Sequence, residues 1–146
     1  MTRMARMDSE PLIGYLDAAC EAARLGAAAL EQWRHRFQVQ EKARFDLVTE
    51  ADLESQKVIR EFLTGRFPSH GFLGEEEPAA QSRPAPDAPP TWIVDPLDGT
   101  TNYVHDCPMY CVSIGLQADG DLVVGVRYVR RASLGDILRA PVRRHF

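Results

Sequence analysis

The stretch Trp92-Ile-Val-Asp-Pro-Leu-Asp-Gly-Thr-Thr-Asn102 decides the reading of this chain, because an apolar run there delivers two carboxylates, a glycine and two hydroxyls. Trp92, Ile93 and Val94 predict a short buried strand. Pro96 has no backbone donor and is expected to end the pairing where Asp95 emerges. Asp95 and Asp98 then leave the sheet together. With the Leu97 carbonyl between them, their side chains can converge on hard cations, which take oxygen ligands of this kind. Gly99 permits a tight turn. Thr100, Thr101 and Asn102 follow as the first turn of a helix, whose free N–H groups and dipole favour an anion such as phosphate. A purely structural account stands beside this one, since Asp-Gly is a common turn dipeptide and Asp or Thr near it often only caps a helix.

Upstream, Ser9-Glu10-Pro11 predicts a helix start. Leu12, Leu16, Ala19, Ala23, Ala27 and Leu30 then recur at spacings of three and four, one apolar stripe that continues to Trp33, with Gly26 suited to close packing. Phe37-Gln-Val-Gln40 and Phe45-Asp-Leu-Val48 predict a hairpin around Lys42. Thr49-Glu-Ala-Asp52 has the form of a capping box that opens a second helix, with Leu53, Val58, Ile59, Phe62 and Leu63 at helical spacing. Gly65-Arg-Phe-Pro68 closes it, and the short strand Gly71-Phe-Leu-Gly74 leads into Glu75-Glu-Glu77. Five prolines between Pro78 and Pro90 mark a surface loop. Downstream, Tyr110–Leu116 reads as a strand, Asp119-Gly120 as a hairpin turn and Leu122–Val126 as the returning partner.

Asp95-Pro-Leu-Asp-Gly-Thr-Thr-Asn102, preceded by Trp-Ile-Val, resembles the metal signature of the inositol monophosphatase family of magnesium-dependent, lithium-sensitive phosphatases. The resemblance also covers Lys42 to Glu76, including the block Pro68-Ser-His-Gly-Phe-Leu-Gly-Glu-Glu76, and continues from Tyr103 to about Val126. It implies an α+β fold, the N-terminal layer of that family's α/β sandwich, with an antiparallel-rich sheet and two long helices. It further implies that Glu75, Asp95 and the Leu97 carbonyl hold a first Mg²⁺, and that Asp95 and Asp98 hold a second. Mn²⁺ is an alternative. Thr100, oriented by Asp52, would accept a hydrogen bond from the attacking water, and the N–H groups of Gly99 and Thr100 would hold phosphate. Glu76 would stand behind the ligands or hold a third ion, and Lys42 would lie near the metal site. The implied reaction is hydrolysis of a small phosphate monoester such as inositol monophosphate, with no protein nucleophile. The alternative is a non-catalytic family fragment or interaction module that keeps a partial metal site.

Length and composition set the outer bounds. The 146 residues, 45% hydrophobic and 26% charged, suit one soluble globular domain, and no run approaches the ~18 apolar residues of a membrane span. Cys20, Cys107 and Cys111 are an odd set that forms no disulfide framework and points to a reducing cytoplasm. His105-x-Cys107-x3-Cys111 has unusual zinc spacing and no evident fourth ligand. Residues 1–126 carry 11 basic and 20 acidic side chains, which argues against general nucleic-acid binding and agrees with cation sites. Six arginines then fall in the last twenty residues, where family members continue with a Tyr-Asp-Pro-like turn and a second layer. The expectation is a family domain over 1–126 and a divergent Arg-rich tail over 127–146, a truncation through a reading-frame change near codon 127. The face that packs on the second layer would be left apolar and prone to self-association.

Overall fold

The computed structural model describes residues 9–37, 44–75, 84–85, 87–105, 107, 109–131 and 134–141. Lys42, Glu76 and most of the proline-rich stretch lie outside them. Two long helices, α1 (Ser9–Phe37) and α2 (Arg44–Arg66), precede the strands β1 (Gly71–Gly74) and β2 (Thr91–Asp98). A one-turn helix α3 (Thr100–Val104) and the strands β3 (Met109–Ala118), β4 (Asp121–Arg131) and β5 (Leu134–Pro141) complete the order. The strands form one sheet in the order β1-β2-β3-β4-β5. β1 pairs with β2 in parallel and every other neighbour is antiparallel, so the expected α+β arrangement with an antiparallel-rich sheet is observed.

The core lies between the helices and one face of the sheet. Trp92 and Val94 on β2, Tyr110, Val112, Ile114 and Leu116 on β3, and Val124 and Val126 on β4 are all buried. They meet the α1 stripe Ala19, Ala23, Ala27 and Leu30 and the α2 residues Ile59 and Leu63, members of the same apolar cluster. α1 and α2 approach closely at Gly26, where an added Cβ would stand 2.6 Å from Ile59 Cδ1 and 3.0 Å from Ser55 Oγ. The buried Ser55 hydroxyl donates to Gly26 O at 3.0 Å and also lies 3.4 Å from Pro96 O. One proton cannot serve both acceptors equally, and the shorter bond to Gly26 is the stronger. Tyr103, fully buried, ties α3 to α1 by donating to Leu30 O at 2.6 Å.

The hairpin between β3 and β4 turns where Asp119-Gly120 predicts. Both residues have positive φ, 52° and 81°, as a two-residue type I′ turn requires.

Four expectations are corrected. The hairpin around Lys42 is not formed: Phe45–Val48 is helical, because α2 begins at Arg44 and no proline or glycine between there and Thr49 interrupts its backbone hydrogen bonds. Thr49-x-x-Asp52 is therefore no capping box at a helix start but lies inside α2. Ile93 is not buried but 38% exposed, since the described helices cover a single face of the sheet and β2 alternates accordingly. Finally, Pro96 does not end β2, which runs on to Asp98. The strand absorbs the missing donor in a register shift between Asp95 and Asp98.

Gly26→Val should destabilise the chain by ~1–3 kcal/mol in urea unfolding, because the overpacking cost exceeds the few tenths gained in helix propensity. A second test uses His70, whose ring stacks on Phe67 at 4.9 Å and 12° and lies 6.0 Å from Trp92. Burial lowers its pKa below the ordinary 6.5. The unfolded chain then takes up this proton first, so stability is lost as pH falls below 6.5 and through the lowered native value. His70→Phe should flatten this acid-side slope in urea midpoints measured against pH, and an unchanged slope would remove His70 as its source.

Candidate functional site

In a strand, residues three apart point to opposite faces. Asp95 and Asp98 escape that rule. Asp95 pairs with Ser113 and Asp98 with Cys111, so three steps on β2 correspond to two on β3. Ser113 and Cys111 share a face, and the bulge over Pro96-Leu97 consequently puts both aspartates on that face. It is the side of the sheet away from α1 and α2, because the residues that meet the helices are the even-numbered ones of β3, Tyr110 through Leu116. Pro96 and Leu97 are themselves buried, which anchors the bulge in the core.

Glu75 arrives from the neighbouring parallel strand. Its N–H donates to Val94 O at 3.0 Å, continuing the register in which Gly74 faces Val94 and bringing Glu75 beside Asp95. The two carboxyl groups come within hydrogen-bonding reach, and the half-buried Asp95 is pushed up to about 7. Burial is the first cause, and the hydrogen bond to Glu75 and repulsion by its charge come next. Asp98 adds a smaller repulsion, while the Leu97 N–H, 3.2 Å from Asp95 Oδ1, pulls the other way. Asp95 therefore holds its proton far more tightly than an ordinary carboxyl group.

Asp98 is more exposed. Its Oδ2 lies 3.6 Å from an Arg127 guanidinium nitrogen and 3.7 Å from Cys111 Sγ. Burial and the charge of Asp98 push the Cys111 thiol up. Neither neighbour was placed beside Asp98 by the sequence. Each is identified only by register, Cys111 opposite Asp98 and Arg127 opposite Ser113, and the register depends on the bulge.

Gly99 adopts φ 94° and ψ 40°, the left-handed region. A Cβ there would come 3.1 Å from Met109 O and 3.3 Å from Tyr110 Cα. The left-handed turn starts α3, leaving Thr100, Thr101 and Asn102 exposed while Tyr103 and Val104 are buried. Asn102 Nδ2 donates to Met109 O at 2.8 Å and closes the turn against β3. Asp52, half-buried on α2, is near enough to Tyr103 for its charge to help raise that phenol's pKa, so it lies toward α3 and the helix that Thr100 begins.

Glu75 and Asp95 are thus brought together, with Asp98 on the face that Asp95 shares and Gly99-Thr100 directly after it. Among the described residues, no three His, Cys, Asp or Glu side chains converge on one point. The donor chemistry nevertheless fits a hard divalent cation: the carboxylates supply only oxygen, and those of Glu75 and Asp95 come within hydrogen-bonding reach of each other. A magnesium ion needs only one or two carboxylates, completing its shell with water and substrate phosphate.

A sequence model of the inositol monophosphatase family matches residues 14–129. Inositol monophosphatase 3 of Solanum lycopersicum is 46% identical over 115 residues, which are 78% of this chain and 43% of the relative. Inositol-1-monophosphatase of Caulobacter vibrioides is 43% identical over 114 residues, 77% of this chain and 43% of the relative. In structure, an inositol monophosphatase from Anabaena (Nostoc) is similar with a TM-score of 0.63 and 34% identity, over 89% of this chain and 46% of that one. The extragenic suppressor protein suhB of Bartonella henselae gives 0.65 and 33%, over 79% and 43%. The chain spans less than half the length of these relatives.

Gly99→Ala should cost ~1–3 kcal/mol in urea unfolding, since the left-handed backbone is strained for any L side chain and the crowding atoms are backbone rather than movable side chain. A variant as stable as the parent would show that the turn can relax.

Proposed function

Because the chain belongs to the inositol monophosphatase family, we propose that it carries a divalent-cation site for hydrolysis of a small phosphate monoester, inositol monophosphate foremost. The pairing of Glu75 with Asp95, with Asp98 turned to the same face by the bulge, is the observation that carries this reading. Glu75, Asp95, Asp98 and the Leu97 carbonyl would hold Mg²⁺, or Mn²⁺ in its place. Bound there, the cation would supply positive charge that neutralises phosphoryl oxygens and makes a water a better nucleophile at neutral pH.

The chain's own residues have separate tasks. The exposed Thr100 hydroxyl would accept a hydrogen bond from the attacking water at Oγ1, and Asp52, on the helix that packs toward α3, would orient Thr100. The N–H groups of Gly99 and Thr100 would bind phosphate, a role supported by their place at the left-handed entry to α3. Glu76 and Lys42 are assigned near the site from the sequence motif alone. The free cysteines suit a reducing compartment such as the cytoplasm, and among the described residues no helix is long and apolar enough to cross a membrane. The division at residue 126 and self-association through the open face of the sheet belong to the same proposal.

A second reading is cation binding without turnover. Measuring Mn²⁺ binding and inositol monophosphate hydrolysis on the same preparation separates the two. The first reading expects phosphate release with magnesium and none with chelator. Asp95→Asn should abolish release while far-ultraviolet circular dichroism is unchanged, and Thr100→Ala should slow it ~10²-fold with cation binding retained. Near-normal turnover in Asp95→Asn would remove the site assignment, and an unchanged kcat in Thr100→Ala would return that residue to a structural role.

A further inference from the structure

Across the open face of the sheet, lateral rows are set by register. Asp95 faces Ser113, which faces Arg127, and in the next row Asp98 faces Cys111, which faces Val129. Arg127 thus starts on β4 and must reach across β3 to meet Asp98. The residues it passes over, Ser113 and Cys111, are small, so a long side chain can lie along the sheet there without being lifted away. Its guanidinium ends 3.6 Å from Asp98 Oδ2, with both side chains about half exposed, 56% and 51%. β4 is held on both sides, by β3 and by β5, so the backbone beneath Arg127 is fixed.

We infer that Arg127 is a tethered cation that competes with a divalent ion for Asp98 and so sets how tightly this chain holds metal at that carboxylate. The inference rests on the reading of Asp98 as a cation ligand. Electrostatics gives the competition its direction. An arginine carries its charge at every physiological pH, so the competitor is permanent and is displaced only by mass action of the incoming ion. It occupies the carboxylate oxygen that the ion needs, and after displacement its charge stays close enough to repel the ion. Cys111, 3.7 Å from the same oxygen, adds a weak neutral donor that must also give way. An ion pair this exposed is weak, so the expected effect on affinity is only about two- to fivefold. Glu75 and Asp95 differ from this, since there two carboxyl groups stand side by side. The chain therefore presents one cation-attracting position at the Glu75–Asp95 pair and one partly answered position at Asp98.

The test is a Mn²⁺ titration of the 146-residue chain, with free Mn²⁺ read by electron paramagnetic resonance, which needs no turnover. Arg127→Gln should tighten Mn²⁺ binding about two- to fivefold. Arg127→Met, which keeps much of the apolar stem, should do the same. Arg24→Gln removes an equal charge from the exposed side of α1 and should leave binding unchanged. In an Asp98→Asn background the gain from Arg127→Gln should vanish, as a double-mutant cycle requires of direct competition. Equal affinity in Arg127→Gln and the parent overturns the inference. So does a gain that persists without Asp98, or one that Arg24→Gln reproduces, since either makes the effect a matter of net charge. Those outcomes leave the site reading standing if Asp95→Asn and Asp98→Asn weaken binding. Mn²⁺ binding indifferent to both aspartates overturns the site reading and this inference together.

Discussion

One extra residue in β2 is the constraint on which the arrangement of the site depends. A regular strand would send Asp95 and Asp98 to opposite faces, one toward the helices and one away. Register slips of one residue invert every side chain beyond them. Here the inversion is local and used once: after the bulge Asp98 faces Cys111, so both aspartates project away from the core. The cost of the irregularity is limited because Pro96 has no N–H to leave unpaired, and because both bulge residues, Pro96 and Leu97, are buried against the layer beneath.

That layer is rigid where it has to be. Gly26 lets α1 and α2 close on one another, and Ser55 stands at the contact, with its hydroxyl between Gly26 O and Pro96 O. Helix packing and bulge position are thus joined through one small buried side chain. Behind the next turn, Tyr103 bonds to Leu30 O and packs edge-on against Tyr110 at 5.0 Å and 90°, while the Tyr110 hydroxyl bonds to Glu31. The polar, exposed start of α3 is therefore carried on a buried aromatic base. The helices cover one face only among the described residues, and on the other face Ile93 and Leu122 stay 38% and 46% exposed.

Much of this was legible in the sequence, for reasons particular to each element. The α1 stripe was readable because its apolar spacing holds from Leu12 to Leu30, and the Asp119-Gly120 turn because few dipeptides accept two positive φ angles. The motif delivering Asp95, Asp98 and Gly99 was plain, and the family resemblance singled out Glu75 although twenty positions separate it from Asp95. What escaped was non-local. Pro96 looked like a stop because a proline's missing donor says nothing about whether the partner strand will accommodate a bulge. The start of α2 was placed late because Thr49 and Asp52 form a plausible cap, whereas a helix can run back through residues that carry no start signal. Ile93 looked buried because an apolar run does not reveal how many faces of its sheet are covered. Arg127 was not placed beside Asp98 because only the register of three strands brings it there.

The tethers from α1 to the later elements bear on how the chain is made. The α1–α2 pair is complete by Arg66, so on a ribosome working from the N-terminus it can close through Gly26 and Ser55 well before the rest emerges. Its underside cannot. Ala19, Ala23 and Leu30 lie in the same cluster as Val112 and Val124, and Leu30 O waits for the hydroxyl of Tyr103. Until β3 and β4 are made that stripe has no sheet to pack on, and an uncovered apolar surface is what chaperones bind and what invites misassociation. The alanine-rich composition of that stripe keeps the surface modest, since a small side chain exposes little area while it waits.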